Sequence, residues 1–174
     1  MKPGRNTRIL IIDDEDFADI QAEYLKDQGY ETTAEHTVES AEERLKDSGS
    51  EVDIALVDMY MGQDKKAGLE LVNLMSEQYP WIVSVVVTGH GGVNNAVLSM
   101  QAGAFSYIEK GESPQALITE TVKKAVAYGE KFPARVGRDW ASDLSAKVGV
   151  LQRALHGVQE VIQRAADEVS RRPR

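Results

Sequence analysis

Five polar residues stand where short apolar runs stop. Ile9 to Ile12 ends in Asp13 and Asp14, Ile54 to Val57 in Asp58, Ile82 to Val87 in Thr88 and Gly89, and the run that begins at Phe105 ends in Lys110. Carboxylates held close together repel and raise one another's pKa, so they are tolerated chiefly with a cation or a proton among them. Oxygen-only ligation by carboxylates, a backbone carbonyl and water is the preference of Mg²⁺. An ammonium and a hydroxyl at the same place suit an anion with several oxygens, most economically a phosphoryl group. Asp58 is then the candidate nucleophile, because a carboxylate can take a phosphoryl group covalently. No glycine-rich loop follows the first run, so a dinucleotide or flavin phosphate has no backbone cradle there. Singly, each residue has an ordinary explanation. An Asp pair after a strand is often a helix cap, a job Asp16 could do here. It is the combination at four run ends that chance does not explain.

For these residues to meet, the runs must be neighbouring strands. The spacing predicts strands at Ile9 to Ile12, Glu31 to Ala34, Ile54 to Val57, Ile82 to Val87 and Phe105 to Ile108, and helices at Phe17 to Gln28, Val38 to Ser48, Gly68 to Tyr79, Val93 to Ala102 and Pro114 to Tyr128. Pro114 suits a first helical turn. Continuous apolar runs in the first, third and fourth strands are what parallel strands buried on both faces look like. Alternating strands and helices with right-handed crossovers predict an α/β fold with a doubly wound parallel sheet. Ligands of such sheets bind beyond the carboxyl ends of the strands, where strand order reverses. Met59, Met61 and Met75 read as packing residues, and His90, in the Gly89-His90-Gly91-Gly92 loop, as a solvated one.

The chain has 174 residues, with 20 Lys and Arg against 28 Asp and Glu, and 42% of its residues are hydrophobic. That composition predicts one globular domain and a remainder. Without cysteine, thiol catalysis and Cys-based zinc sites are excluded. No apolar stretch approaches the ~18 residues of a spanning helix, and the run after the basic N-terminus is too short for a signal peptide, so a cytoplasmic protein with no membrane partner is expected. Residues 1–134 carry 12 basic and 23 acidic side chains, whereas 135–174 carry 8 and 5. An acidic globular part argues against direct nucleic-acid binding.

Ile9-Leu10-Ile11-Ile12-Asp13-Asp14-Glu15, Ala55-Leu56-Val57-Asp58-Met59-Tyr60-Met61, Val86-Val87-Thr88-Gly89-His90-Gly91 and Ala104-Phe105-Ser106-Tyr107-Ile108-Glu109-Lys110 together resemble the receiver domain of bacterial two-component response regulators. The Thr-Gly-His-Gly segment with Ala96-Val97 is most similar to receivers of enhancer-binding transcriptional activators. The resemblance spans residue 8 to about 130. It implies a flavodoxin-like sheet of order 2-1-3-4-5 and a signalling domain rather than an enzyme. Residue by residue, it implies that Asp58 accepts phosphate from a sensor histidine kinase or phosphotransfer protein. Asp14 would bind Mg²⁺ directly, Asp13 would help, and the Tyr60 carbonyl would complete the metal site. Thr88 would hydrogen-bond the phosphoryl oxygens, Lys110 would neutralise them, and Tyr107 would swing inward as Thr88 moves. Two features depart from the family. Gly62 stands where a proline is usual, and the stretch from Asp58 to Gly68 is two residues longer than usual, with Lys65 and Lys66 reading as a solvated charge pair. Lys110 is followed by Gly111 instead of a proline with a cis bond.

Beyond the receiver at 1–130, residues 131–139 read as a linker, 140–170 as an amphipathic or coiled-coil helix and 171–174 as a basic tail. Leu144, Val148, Leu151, Leu155, Val158, Ile162, Ala165 and Val169 follow spacings of 4 and 3 in alternation, a heptad seam. Gly149 and Gly157 weaken a lone helix by roughly 1 kcal/mol each. A homodimer through 140–170 is therefore expected, the competing expectation being a helix folded back on the receiver. Two other functional readings stand beside the phosphoacceptor: a receiver-fold interaction or dimerisation module that works without phosphorylation, alone or as a fragment of a longer regulator, and a Mg²⁺ phosphohydrolase. The last lacks a second carboxylate two residues after Asp58, where Tyr60 stands.

Overall fold

A computed structural model describes residues 6–62, 64, 66–111 and 113–131. The linker beyond Lys131, the heptad helix, the basic tail and Lys65 lie outside the described residues, and Lys131, expected to open the linker, is helical instead. Five parallel strands, β1 (Arg8–Ile12), β2 (Glu31–Glu35), β3 (Ile54–Val57), β4 (Val83–Thr88) and β5 (Ser106–Glu109), form one sheet in the order β2-β1-β3-β4-β5. Between and after them run α1 (Phe17–Asp27), α2 (Val38–Ser48), α3 (Ala67–Gln78), α4 (Val93–Gln101) and α5 (Gln115–Lys131). The doubly wound α/β fold and the strand order expected from the sequence are both present.

The central strands β1, β3 and β4 are buried along almost their whole length, whereas the edge strands β2 and β5 are only partly covered. Side chains alternate between the two faces, as the two-residue period of a strand requires. Leu10, Ile12, Ala55, Val57 and Val86 pack on one side with Leu45 of α2 and Leu71, Val72 and Met75 of α3. Ile9, Ile11, Ile54, Leu56, Val85 and Val87 pack on the other with Leu25 of α1 and Ile118 and Val122 of α5. Met59, Met61 and Met75 are buried in the first of these cores, as their sequence context suggested. Burying a side chain such as Leu or Met is worth about 1.5–3 kcal/mol, so these two layers hold the sheet between them. Among the described residues no helix is long and apolar enough to cross a membrane.

Three local features differ from the sequence reading. Asp16 occupies the N-cap of α1, but its side chain makes no capping hydrogen bond; the nearby bond is from the Glu15 N–H to Asp13 Oδ1 at 3.1 Å. Pro114 sits one position ahead of α5, where its carbonyl accepts from the Ile118 N–H, and the helix continues past Tyr128 to Lys131. A turn of 3-10 helix at Gly49–Glu51, unanticipated from the sequence, follows α2. Helix α4 is a special case: Ser99 is its one buried residue, and Val93, Val97, Leu98 and Met100 are exposed.

Candidate functional site

Strand register brings the polar ends together. Ile12 pairs with Val57 across β1 and β3, so Asp13 and Asp58 leave the sheet side by side, with the Asp58 N–H donating to the Ile12 carbonyl at 2.8 Å. On the other side Thr88 pairs with Glu109, and the Lys110 N–H donates to the Thr88 carbonyl at 2.8 Å. The Lys110 ammonium reaches back to Asp13 Oδ2 at 2.6 Å and to Asp58 Oδ2 at 2.7 Å. Every described peptide bond, Lys110–Gly111 included, is trans.

Both carboxylates are nearly inaccessible, Asp13 at 2% and Asp58 at 7% exposure. Burial pushes the Asp13 carboxyl above its ordinary value, and Lys110 offsets that only in part. Burial also acts to lower Lys110, but its bonds to Asp13 and Asp58 outweigh it and hold the ammonium above the ordinary lysine value. The chemistry is that of a charged triad in a low-dielectric pocket, with one more negative than positive charge when both carboxylates are ionised.

Asp14 is exposed and completes a cluster in which one carboxylate oxygen from each of Asp13, Asp14 and Asp58 lies within 4.8 Å of the others. A divalent cation fits this donor set: three hard oxygens converge with one counter-ammonium between them, a charge arrangement that a cation relieves. Asp14 Oδ2 also accepts a hydrogen bond from the Gly62 N–H at 2.8 Å. Gly62 has φ +61, a conformation closed to proline, whose ring fixes φ near −65°. The longer loop closes on itself through paired backbone bonds between Met61 and Asp64, both 3.1 Å, and Lys66 is exposed. The departure from the family's usual proline thus has a structural reason.

Thr88 is buried, and its hydroxyl accepts from the His90 N–H at 3.2 Å. The Tyr107 hydroxyl donates to the His90 carbonyl at 3.3 Å, and burial, with Glu109 adding, raises its pKa. The His90 carbonyl takes a second bond from Asn95 Nδ2 at 2.8 Å, and the same amide donates to the Tyr60 hydroxyl at 3.3 Å. Tyr60 also donates its backbone N–H to Asp58 Oδ1 at 3.1 Å. Its ring lies 4.2 Å from the His90 ring, centroid to centroid.

Asp13, Asp14, Asp58 and Lys110 therefore meet as expected, while Thr88, Tyr107 and Tyr60 surround them through the loop at His90. Sequence reasoning set His90 aside as solvated; it is exposed, yet it joins Tyr60, Asn95 and Tyr107. Phe17 was missed altogether, although its ring lies under the Lys110 ammonium at 4.4 Å. No local signal marks it, because a phenylalanine at the start of a helix reads equally well as core.

The family model described as the response regulator receiver domain matches residues 9–122. The alginate biosynthesis transcriptional regulatory protein AlgB of Pseudomonas aeruginosa is 36% identical over 118 residues, covering 67% of this chain and 25% of that protein. The nitrogen assimilation regulatory protein NtrX of Azorhizobium caulinodans is 28% identical over 114 residues, 65% of this chain and 25% of that one. The chain thus spans about a quarter of the length of these curated relatives. Among solved structures, the receiver domain of NtrX from Brucella abortus superposes with a TM-score of 0.61 at 30% identity, covering 68% of this chain and 98% of that one. A CheY-like receiver domain protein from Methanospirillum hungatei gives 0.64 at 28% identity, covering 73% and 98%.

Proposed function

The chain belongs to the response regulator receiver family, and from that premise we propose that it is a phosphoacceptor, taking a phosphoryl group from a histidine kinase or phosphotransfer protein onto Asp58. The observation that carries this reading is the Asp58 carboxylate itself, buried at a strand end with an ammonium 2.7 Å from one oxygen and Asp13 alongside. In the transfer, an Asp58 oxygen forms the new bond to phosphorus as the donor's phosphorus–nitrogen bond breaks and its electron pair stays with the histidine nitrogen. Mg²⁺ held by Asp13, Asp14, Asp58 and the Tyr60 carbonyl would supply the positive charge that aligns nucleophile and phosphoryl group. Lys110 already stands where negative charge accumulates, so it neutralises the phosphoryl oxygens without a long excursion.

The switch follows from the second set of bonds. A phosphoryl oxygen accepts from the Thr88 O–H while the Thr88 oxygen still accepts from the His90 N–H, so a turn of Thr88 toward the phosphoryl group pulls on the His90 loop, and Tyr107, bonded to the His90 carbonyl, moves with that loop. Helix α4 begins directly after it and is held by little burial, so it is the element that responds.

Incubation with Mg²⁺ and acetyl phosphate or phosphoramidate, read by intact mass, tests the proposal. A single phosphoryl adduct is expected for the wild type and none at that site for Asp58→Asn. No adduct under conditions that modify a control receiver would favour an interaction module that works without phosphorylation. The heptad seam of 140–170 supports a homodimer as the form that signals. Light scattering on the full chain should report a dimer and, on a version ending at Lys131, a monomer; two monomers, or a dimer that survives truncation, would remove the seam from that role.

A further inference from the structure

The Lys110 ammonium has neighbours of two kinds: the Asp13 and Asp58 carboxylates, and the face of Phe17. The carboxylates change during the proposed reaction. Asp58 becomes an acyl phosphate, one of its carboxylate oxygens now bonded to phosphorus, and a bound cation competes for Asp13. The ring changes in neither event, because it carries no ionisable group and binds no metal. Phe17 is the first residue of α1 and packs against the core on that face of the sheet, which fixes the plane of the ring. The Lys110 backbone is anchored only on its N-terminal side, by its N–H to the Thr88 carbonyl, with β5 ending at Glu109 and Gly111 following. A lysine is a point charge on a flexible four-carbon stem, so something must hold its tip while its anionic partners are exchanged.

We propose that Phe17 is a positioning residue for Lys110, its ring face keeping the ammonium at the carboxylate pocket through phosphoryl transfer. The ring quadrupole attracts a cation within about 6 Å of the centroid, most strongly where water is excluded. At 4.4 Å, with the lysine side chain 13% exposed, both conditions hold. The inference rests on the phosphoacceptor reading of Asp58 and adds a residue to it.

The test compares Phe17→Leu, which keeps apolar bulk and removes the quadrupole, with Phe17→Trp, which keeps the ring face. With acetyl phosphate and saturating Mg²⁺, the Leu variant should form adduct roughly ten-fold more slowly and the Trp variant within about two-fold of wild type. In a Lys110→Ala background, Phe17→Leu should change the rate by less than about two-fold, because the residue through which Phe17 acts is gone. A second readout needs neither metal nor turnover: the Lys110 Hε resonances should lie upfield from the ring current in the full-length protein, and return downfield in Phe17→Leu. A wild-type rate in a Leu variant of unchanged melting temperature, or an equal loss with and without Lys110, overturns the role of Phe17 while leaving the phosphoacceptor intact. Absence of adduct in the wild type instead removes the phosphoacceptor, and the positioning role falls with it.

Discussion

Gly68→Ala is expected to lower stability by about 3 kcal/mol, at the upper end of what overpacking costs. A Cβ at this position would lie 1.8 Å from the Asp58 carbonyl oxygen, 2.8 Å from its carbonyl carbon and 3.0 Å from Met59 Cα. All three are backbone atoms, so no side chain can swing aside, and the first turn of α3 must retreat from the end of β3. The opposing effect is helix propensity, which favours alanine over glycine by about 1 kcal/mol. Steric exclusion at 1.8 Å wins. Urea unfolding of the two proteins measures the difference, and a fall of roughly 10 °C in melting temperature should accompany it. A variant as stable as wild type would mean that α3 can stand off from Asp58 freely. Since the loop from Asp58 to Gly68 also carries the Gly62 bond to Asp14, the retreat should further disturb the carboxylate cluster.

Much of this frame was legible in the sequence because hydrophobic burial wrote it there. Strands buried on both faces must be apolar throughout, so β1, β3 and β4 stood out as continuous runs and their ends located Asp13, Asp58 and Thr88. Register then did the rest, since pairing Ile12 with Val57 leaves Asp13 and Asp58 no other place to be. What stayed hidden depends on contacts between residues distant in the chain. The ring of Phe17 under Lys110 spans ninety-three positions, and nothing local marks a phenylalanine as a cation's neighbour rather than core. The Gly62 bond to Asp14 is a backbone donor, invisible to any reading of side-chain types. His90 looked solvated because its loop is rich in glycine; its partners Tyr60, Asn95 and Tyr107 come from other elements. Asp16 misled in the opposite sense, because a residue suited to capping makes no cap bond when the local turn is helical, with φ −56 and ψ −12.

Lys110→Ala tests the charge balance of the pocket and is expected to cost about 3 kcal/mol in chelator-treated protein. Removing one partner of a buried pair leaves the other charge uncompensated, at a cost of about 3–5 kcal/mol, and the lower figure applies because the lysine side chain retains 13% exposure. Asp13 and Asp58 would then face each other with Asp14 nearby and no cation between them. Lower pH should ease the loss. Burial already raises the Asp13 carboxyl, and Lys110 is the main group drawing it back; without the ammonium its folded pKa rises further. A folded carboxyl with a raised pKa binds more protons than the unfolded one, so stability falls as pH rises through the window between the two values. The deficit of Lys110→Ala against wild type should therefore shrink as pH is lowered from neutrality toward the ordinary carboxylate range. Mg²⁺ should act in the same direction by a different route. Wild type and variant should both gain stability by mass action, by about 2.7 kcal/mol at a hundred-fold excess over Kd, and the variant should reach that gain at lower Mg²⁺ because no ammonium competes for the carboxylates. Thermal melts across pH and Mg²⁺ concentration read all three effects. A variant as stable as wild type in chelator, or one that Mg²⁺ leaves unchanged, would mean that the carboxylates are not the shared binding site of the ammonium and the metal.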